Sequence, residues 1–161
     1  MSERELTHLD SEGHAHMVDV GDKPRTKRTA VAEGMVAMSA DLVERFFAGS
    51  LPKGDAAAVA RVAGIMGAKR TPELIPLCHP IELSSVEIDL QPAGHGIVIT
   101  ATVSTTGPTG VEMEAMTAVA TTALTIYDMV KGVERGVTIE WVRLRSKDGG
   151  RTGRWEREVV E

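Results

Sequence analysis

The sequence predicts an α+β fold in which helices cover one face of an antiparallel β-sheet. Segments with alternating apolar residues, typical of half-buried strands, are interspersed with segments whose apolar residues recur at helical spacing. Their order is strand, helices, strand, strand, helix, strand, which is the β-α-β-β-α-β pattern of a ferredoxin-like two-layer sandwich. The 161 residues contain no internal repeat or linker, so we expect a single domain spanning 1–161.

The composition is that of an ordinary globular chain, with 42% apolar and 25% charged residues. A net charge of −5 argues against a nucleic-acid or anionic-membrane surface. The chain has no bilayer-length apolar stretch, and its polar N-terminus lacks a signal-peptide core, so we expect a cytoplasmic protein. Cys78 is the only cysteine, which excludes an intramolecular disulfide and a multi-cysteine zinc site.

The N-terminal region is polar, and residues 1–15 are predicted to form a flexible arm. Its histidines are His8, His14 and His16, but no ligand-spacing pattern accompanies them, so a metal site is not predicted. Residues 16–20 are read as a short strand. Residues 21–28 form a turn, and partial alternation in 29–38 predicts the first core strand. The turn carries four basic residues: Lys23, Arg25, Lys27 and Arg28.

Two helices follow the first core strand. Ser39 is a good N-cap for a helix that ends at Gly49, and Asp55 caps a second helix over 56–69. Alanine and glycine crowd this second helix, which allows it either to approach another backbone or subunit closely or to pack under the sheet. Thr71 and Pro72 then predict a short further turn of helix.

A Cys-His pair lies between two prolines, Pro76 and Pro80. Proline excludes helix and central strand here, so the loop Leu77-Cys78-His79 is rigid. It either aims these side chains at a ligand or is a buried loop with a satisfied histidine. Alternation then predicts a hairpin over 83–103, with an exposed His95 in the turn at 91–96.

The longest predicted helix lies between Gly107 and Gly132 and is apolar enough to be buried on more than one side. Asp128 and Lys131, three residues apart, lie on the same face near its end, either as a surface ion pair or as acid/base groups. A strand over 137–145 follows. The last segment, 146–161, is basic and glycine-rich, and its cations either wrap an anion or form a solvated tail.

The candidate functional groups fall into three chemical sets. Three are proton-transfer groups: Lys53, Asp128 and Lys131. A lysine near a second cation has a lowered pKa, whereas a neighbouring carboxylate raises it, so these groups form a usable acid/base set. Candidate anion binders are Arg28, Lys69, Arg70, Lys147 and Arg151, and candidate ring-binding residues are Leu77, Cys78, His79, Glu112, Met113 and Glu114. Walker, Ser-His-Asp and GxGxxG patterns are absent from the sequence.

Several long motifs, in order, carry a family resemblance. They are AHMVDV (15–20), KGD (53–55), LIPLCHP (74–80), GVEMEAMTA (110–118), YDMVK (127–131) and SKDGGRTG (146–153). From about Leu6 to Arg154 the chain resembles the molybdenum cofactor biosynthesis protein C family, the cyclic pyranopterin monophosphate synthases. Two positions depart from the family pattern: Val130 replaces a frequent cysteine, and Arg151 replaces a frequent lysine.

The resemblance implies a phosphorus-oxygen lyase of molybdenum cofactor biosynthesis. Its substrate would be the GTP-derived 3',8-cyclo-7,8-dihydroguanosine 5'-triphosphate, converted to cyclic pyranopterin monophosphate with release of pyrophosphate. It implies catalytic roles for Asp128, Lys131 and Lys53, and triphosphate contacts for Arg28, Lys147 and Lys23. It also implies a hexamer of dimers with the site at the dimer interface, where leftover apolar surface would be buried. No cofactor is predicted, although a divalent cation is compatible with the triphosphate.

Three other functions compete with this interpretation. A cyclohydrolase acting on GTP would need a metal-activated water, which one cysteine and scattered histidines support poorly. A ferredoxin-like RNA-binding or regulatory module would need exposed aromatics, yet only 3% of residues are aromatic. A ligand sensor would use the same pocket without turnover, so only an activity measurement separates it from the enzyme.

Overall fold

The structure, a computed structural model, describes residues 9–158 of the chain. Residues 1–8 of the predicted arm, including His8, and residues 159–161 lie outside the described residues. The elements in chain order are β1 (Thr26–Ala37), α1 (Ala40–Phe47), α2 (Ala56–Lys69), α3 (Thr71–Leu74), β2 (Ser85–Ala93), β3 (Gly96–Gly107), α4 (Glu112–Val130), β4 (Thr138–Asp148) and β5 (Trp155–Glu156).

The sheet is antiparallel, with strand order β2-β3-β1-β4-β5. Its first four strands have the order predicted for a ferredoxin-like sandwich, so the predicted fold class is confirmed. The two-residue β5 adds an edge strand beside β4, and the sequence pattern gave no sign of it. Side chains of Ser39 and Asp55 accept hydrogen bonds from backbone amides of α1 and α2, as predicted for N-caps.

The core lies between the sheet and α4, which packs on β1, β3 and β4. On β1, alternate residues Ala30, Ala32, Gly34 and Val36 are buried. At Gly34 an added Cβ would lie 2.5 Å from the Val119 Cγ1 atom of α4. Glycine is therefore required there, and α4 lies close to the central strand of the sheet.

The small residues of α2 allow close contact with α4. A Cβ added at Gly64 would lie 2.2 Å from the Thr122 Oγ1 atom, and one added at Gly67 would lie 2.4 Å from the Thr121 Oγ1 atom. Of the two packing alternatives left open by the sequence, the structure supports close approach to another backbone. This contact fixes α4 laterally and leaves the opposite side of the helix exposed.

Three segment predictions are wrong. Residues 16–20 form no strand; instead, residues 9–15 make a turn closed by a bridge between Leu9 and Ala15. The first strand begins at Thr26 rather than at residue 29, because it pairs with β3 as far as Gly107. Ser146, Lys147 and Asp148 belong to β4 rather than to a tail, since Lys147 pairs with Ala30 of β1.

The sheet face opposite the helices carries a charged network. Glu33 accepts hydrogen bonds from Arg143 at 3.1 and 3.0 Å and lies 3.2 Å from the Arg145 Nη1 atom. The Arg143 guanidinium lies over the Trp141 ring, 4.2 Å from its centroid. Exposed large apolar side chains are not concentrated on this face. Several exposed large apolar side chains lie on the helices instead, among them Val59, Val62, Met66, Met113 and Leu124.

Candidate active site

The N-terminus of α4 forms one wall of the site. Its N-cap, Val111, makes no side-chain capping hydrogen bond. The Glu112 carboxylate folds back over Gly110, where an added Cβ would lie 1.9 Å from the Glu112 Oε2 atom. Glycine at 110 therefore lets a carboxylate lie at the positive end of the helix dipole.

A cleft of about 370 Å³, the central cleft, opens beside this helix terminus. It brings together seven of the predicted substrate-binding residues: Lys23, Leu77, Cys78, His79, Glu112, Met113 and Glu114. Thr109, Gly110, Ile81, Val18 and Val20 complete its wall. The juxtaposition of the Cys-His loop with the start of α4 follows from the fold, because these segments are about thirty residues apart in sequence.

His79 is anchored to the N-terminal segment. Its Nε2 atom lies 2.7 Å from the backbone carbonyl oxygen of Val18. A carbonyl can only accept, so Nε2 carries a proton, and in the neutral ring Nδ1 is the acceptor. Each of the two alternatives for the Cys-His loop is correct in part. One ring nitrogen of His79 has a hydrogen-bond partner, and the side chain also lines the cleft. Residues 16–20 thus serve as a wall of the cleft rather than as a strand.

Glu114 is a buried carboxyl group in the cleft wall, only 3% exposed. Its pKa is raised from 4.5 to about 7, chiefly by burial and to a smaller extent by the charge of Glu112, against a hydrogen bond from its own backbone amide that lowers it. Burial, together with the neighbouring Glu114, also raises the pKa of the Cys78 thiol, so this cysteine is not an activated nucleophile. The central cleft therefore contains the Glu114 carboxyl group, which changes protonation near neutral pH, beside the neutral thiol of Cys78.

Two further depressions continue the central cleft toward the β4–β5 turn. A small recess of about 80 Å³ contains Arg28, Glu112 and Lys147. A basic cleft of about 570 Å³ contains Lys23, Arg28 and Arg151, with Asp22 as an acidic side chain in its wall. Arg28 lines both depressions, and Glu112 lines the recess and the central cleft, so the three spaces adjoin one another in a row.

Arg28 is held under the β4–β5 turn. Its Nη2 atom donates to the backbone oxygen of Pro108 at 3.2 Å, while its Nε atom is buried without a hydrogen-bond partner among residues 9–158. Gly150, at φ +78°, lies against the guanidinium: an added Cβ would be 2.1 Å from Nη1. Nearby, the Lys147 ammonium donates to the Thr152 hydroxyl. The glycine-rich turn therefore shapes the basic cleft and is part of the folded sheet edge.

The predicted proton-transfer groups meet at the other end of α4. The Lys53 Nζ atom lies 3.0 Å from Asp128 Oδ2 and 2.7 Å from the Asp128 backbone oxygen, and Lys131 Nζ lies 2.8 Å from Asp128 Oδ1. Hydrogen bonds from Lys131 and Lys53 lower the pKa of Asp128 to about 2, and Asp128 in turn raises the pKa of Lys131. The carboxylate therefore outweighs the cation–cation effect, and Lys131 is protonated in this arrangement.

Within one chain the two sets of residues are far apart. Glu114 and Asp128 are fourteen residues apart on the same straight helix, which corresponds to about 21 Å at 1.5 Å per residue. Hydrogen-bonded proton transfer requires heavy atoms about 3 Å apart, or one bridging water. A ligand filling the central cleft is therefore out of reach of the Asp128 group of the same chain.

Two predicted anion binders are not brought to these spaces. Lys69 and Arg70 are exposed at the end of α2 and do not line the central cleft, the recess or the basic cleft. Sequence reasoning also missed cleft residues. Thr109 and Gly110 belong to a turn that was read only as a helix start, whereas Val18 and Val20 were assigned to a strand.

Residues 9–158 offer neither a metal-ligand cluster nor a membrane-spanning helix. This part of the chain contains no group of three or more His, Cys, Asp or Glu side chains arranged to hold a metal ion. His14 instead lies 3.5 Å from Asp10 and 3.6 Å from Glu12. None of the described helices is long and apolar enough to cross a membrane.

Comparison with known families identifies the family to which the chain belongs. A model of the MoaC family matches residues 17–150, which cover the central cleft, both ends of α4 and the basic cleft except for Arg151 and Thr152. The chain belongs to the MoaC family. The predicted resemblance is thereby confirmed over most of the sequence.

Curated relatives cover nearly the whole chain. A protein of Corynebacterium efficiens is 57% identical over 94% of this chain and 97% of its own length, and one of Cereibacter sphaeroides is 57% identical over 94% and 96%. A protein of Chloroflexus aurantiacus is 58% identical over 95% of both chains. Each of these relatives is named cyclic pyranopterin monophosphate synthase.

Proposed function

We propose that this protein is a cyclic pyranopterin monophosphate synthase of molybdenum cofactor biosynthesis. It converts 3',8-cyclo-7,8-dihydroguanosine 5'-triphosphate to cyclic pyranopterin monophosphate and releases pyrophosphate. The observation that carries this proposal is the near full-length identity of 57% to synthases, combined with the meeting of seven predicted binding residues in one cleft. Family membership alone would identify a fold, whereas the cleft supplies groups suited to this chemistry.

The central cleft is the place for the guanine-derived ring. The 2-amino group and ring N–H of such a base are donors, and the ionised carboxylates of Glu112 and Glu114 are acceptors. His79, fixed by Val18, offers its Nδ1 atom as a further acceptor. Met113 and Leu77 supply apolar contact surface in the same cleft. This combination binds a polar heterocycle with a defined edge.

The recess and the basic cleft together suit the triphosphate. Arg28, Lys147 and Lys23 line these two spaces, and Arg151 adds a further guanidinium. Formation of the cyclic phosphate requires a ribose hydroxyl to attack the α-phosphorus while the bond to the β-phosphate breaks. Cations held around the triphosphate orient this attack and offset the charge that develops on the leaving pyrophosphate. A divalent cation bound to the triphosphate would assist in the same way.

Ring rearrangement requires proton transfers, and we assign these to Asp128, Lys131 and Lys53. Asp128 is a carboxylate above a pH of about 2 and accepts a proton only weakly by itself, but it fixes two ammonium donors. Lys131 is therefore placed as a general acid, with Lys53 beside it. Because about 21 Å separates this group from the cleft of its own chain, the working site combines two chains. We propose a homodimeric site in a cytoplasmic hexamer.

The proposal is tested by supplying purified protein with enzymatically prepared 3',8-cyclo-7,8-dihydroguanosine triphosphate. Cyclic pyranopterin monophosphate and pyrophosphate are followed together, and we expect them to appear in equal amounts. Binding of the substrate without either product would contradict the proposal and leave a ligand sensor. Supplying GTP itself separates the cyclohydrolase, because a synthase leaves GTP unchanged.

A further inference from the structure

Glu134 lies in the turn that follows α4, three residues beyond Lys131. Its backbone amide donates to the carbonyl oxygen of Val130, the buried last residue of α4, at 3.1 Å, so the turn is tied to the end of the helix. The Glu134 carboxylate reaches Ser39, which lies ninety-five residues earlier in the chain. Its Oε2 atom accepts from the Ser39 hydroxyl at 2.6 Å, and its Oε1 atom accepts from the Ser39 backbone amide at 3.2 Å.

This contact completes the cap of α1 from a distant part of the chain. Ser39 is the N-cap of α1, and its hydroxyl oxygen accepts from the Leu42 amide. In a capping box, a glutamate three residues after the N-cap accepts from the N-cap amide. Position 42 is leucine, and Glu134 supplies the carboxylate instead. The hydrogen bonds of Glu134 therefore close the N-terminus of α1 and also fasten it to the end of α4.

Helix α1 leads directly into the loop that carries Lys53, residues 48–55. After the loop comes α2, which packs closely on α4, whereas before it comes α1, a helix of eight residues with three buried side chains. The Lys53 Nζ atom donates to two oxygens of Asp128, at 3.0 and 2.7 Å. Segment 39–55 is thus fastened to the end of α4 at two places, by Glu134 near its start and by Asp128 near its end.

We propose that Glu134 is a positioning residue for Lys53, which it holds against Asp128 through α1 and the loop 48–55. The role of Lys53 in turnover rests on the proposed function. Two hydrogen bonds from one ammonium to one residue require a well-placed loop, and a displacement of about 1 Å near a reacting group can cost about a hundredfold in rate. Glu134 lines none of the three spaces assigned to the substrate, so its effect should fall on kcat rather than on KM.

Steady-state kinetics tests this role. Glu134→Ala removes both acceptors, and we expect kcat to fall about tenfold while KM stays within about twofold of its original value. Ser39→Asp should act in the same way, because aspartate still caps α1 but its carboxylate repels that of Glu134. Glu134→Gln keeps one acceptor oxygen and should recover part of the lost rate. Glu44→Ala, at an exposed position of α1, is the control and should retain full kcat.

A double-mutant cycle separates positioning of Lys53 from a general structural role. In a Lys53→Ala background, Glu134→Ala should slow single-turnover product formation no further, because the group that it positions has been removed. An equal loss in both backgrounds would overturn the proposal, since Glu134 would then act on another group, such as Lys131, or on the fold as a whole. Full kcat in Glu134→Ala would overturn it as well.

Hydrogen exchange tests the physical link without turnover. Peptides from segment 39–55 should exchange about fivefold or more faster in Glu134→Ala than in the unmodified protein, whereas peptides from α2 and β3 should keep their rates. Equal rates in segment 39–55 would show that Glu134 does not hold the Lys53 loop, and would overturn the proposal. If the unmodified protein forms no product from the cyclo-dihydroguanosine triphosphate, the proposed function fails, while the exchange rates still decide whether Glu134 holds this loop.

Discussion

The two ends of α4 each carry a carboxylate, and their surroundings shift the two pKa values in opposite directions. Glu114 is 3% exposed, and burial raises its pKa to about 7. Asp128 is exposed, and two ammonium groups lower its pKa to about 2. Desolvation dominates at the first end and hydrogen bonding to cations at the second. One helix therefore presents a carboxyl that titrates near neutral pH and another that stays ionised.

Under the proposed function, this difference gives the two ends of α4 separate tasks. A carboxyl group with a pKa near 7 changes its protonation when a ligand binds, because hydrogen-bond donors of a bound ring favour its ionised form. A carboxylate fixed between two lysines instead holds proton donors in place. Perturbed groups of both kinds are typical of functional sites. Separate changes at the two ends should therefore produce different kinetic signatures.

The largest effect is expected at the exposed end. Asp128→Asn keeps the shape of the side chain but releases Lys53 and Lys131, and we expect kcat to fall about 100- to 10,000-fold with KM little changed. Lys131→Ala should act similarly. Steady-state kinetics with the cyclo-dihydroguanosine triphosphate provides the measurement, and Asp89→Asn on β2 serves as the exposed control. Normal kcat in Asp128→Asn would remove Asp128 from the mechanism.

The next largest effect is expected in the recess and the basic cleft, where we propose that the triphosphate binds. Replacement of Arg28 by Gln removes a charged donor from the recess and the basic cleft, and we expect KM to rise about 10- to 100-fold. Inhibition by added pyrophosphate should weaken in proportion, because under the proposed function the same cations hold the leaving group. Arg45→Gln on α1 is the matched control. A variant with unaltered KM and pyrophosphate inhibition would show that the triphosphate lies elsewhere.

A smaller effect on binding, with a clear pH signature, is expected at the buried end. Between pH 6 and 8 the ionised fraction of Glu114 rises, so KM should fall as pH increases. Glu114→Gln should abolish this dependence and weaken binding about tenfold or more. Glu87→Gln, on an exposed part of β2, should keep it. A pH-dependent KM that survives in Glu114→Gln would assign the titration to another group.

Glu114 also predicts the pH dependence of stability. The folded-state pKa is above the value of 4.5 in the unfolded chain, so the folded protein holds its proton more tightly, and stability falls as pH rises from about 4.5 to 7. Glu114→Gln should therefore be stabilising at pH 8, by at most about 3 kcal/mol, and neutral near pH 4.5. Urea unfolding at both pH values measures this difference. Equal stabilisation at the two pH values would contradict the assignment.

Asp128 should have the opposite pH signature and the smallest stability effect. Its folded-state pKa is below 3.8, so its contribution is present above about pH 4 and lost as pH falls toward 2. Because the group is exposed, solvent screens the ion pairs, and Asp128→Asn should leave the melting temperature near neutral pH almost unchanged. A large loss of thermal stability would mean that Asp128 supports the fold rather than catalysis.

Periodicity was sufficient to predict the layers, the strand order and the two principal helices. It could not reveal β5, whose two residues pair only because the turn at 149–154 reverses the chain. The segment 16–20 alternates like a strand, yet it lies along the central cleft and is held there by a backbone carbonyl bonded to His79. Local pattern does not encode such a long-range contact.

The sequence predicted which residues belong to the candidate site but not how they are arranged in space. The motifs identified both sets of residues, and the spacing of Asp128 and Lys131 gave their contact directly. Nothing in the sequence showed that Glu114 is buried or that Lys69 and Arg70 lie away from the clefts, because both facts depend on tertiary packing. The separation of Glu114 from Asp128, in contrast, follows from their positions on the predicted helix between Gly107 and Gly132.

The central claim, a site shared between two chains, is tested most directly by mixing two variants with defects in different parts of the site, at a substrate concentration low enough to leave each variant nearly inactive by itself. Asp128→Asn lacks the carboxylate of the proton-transfer group, and Arg28→Ala lacks the guanidinium that we propose binds the triphosphate. Each variant retains the group that the other has lost. After unfolding and joint refolding in equal amounts, half of the dimers contain one chain of each kind, and one of the two sites in each mixed dimer is intact. We predict recovery of about a quarter of the unmodified turnover. Turnover no greater than the sum of the separate variants would show that each site lies within one chain.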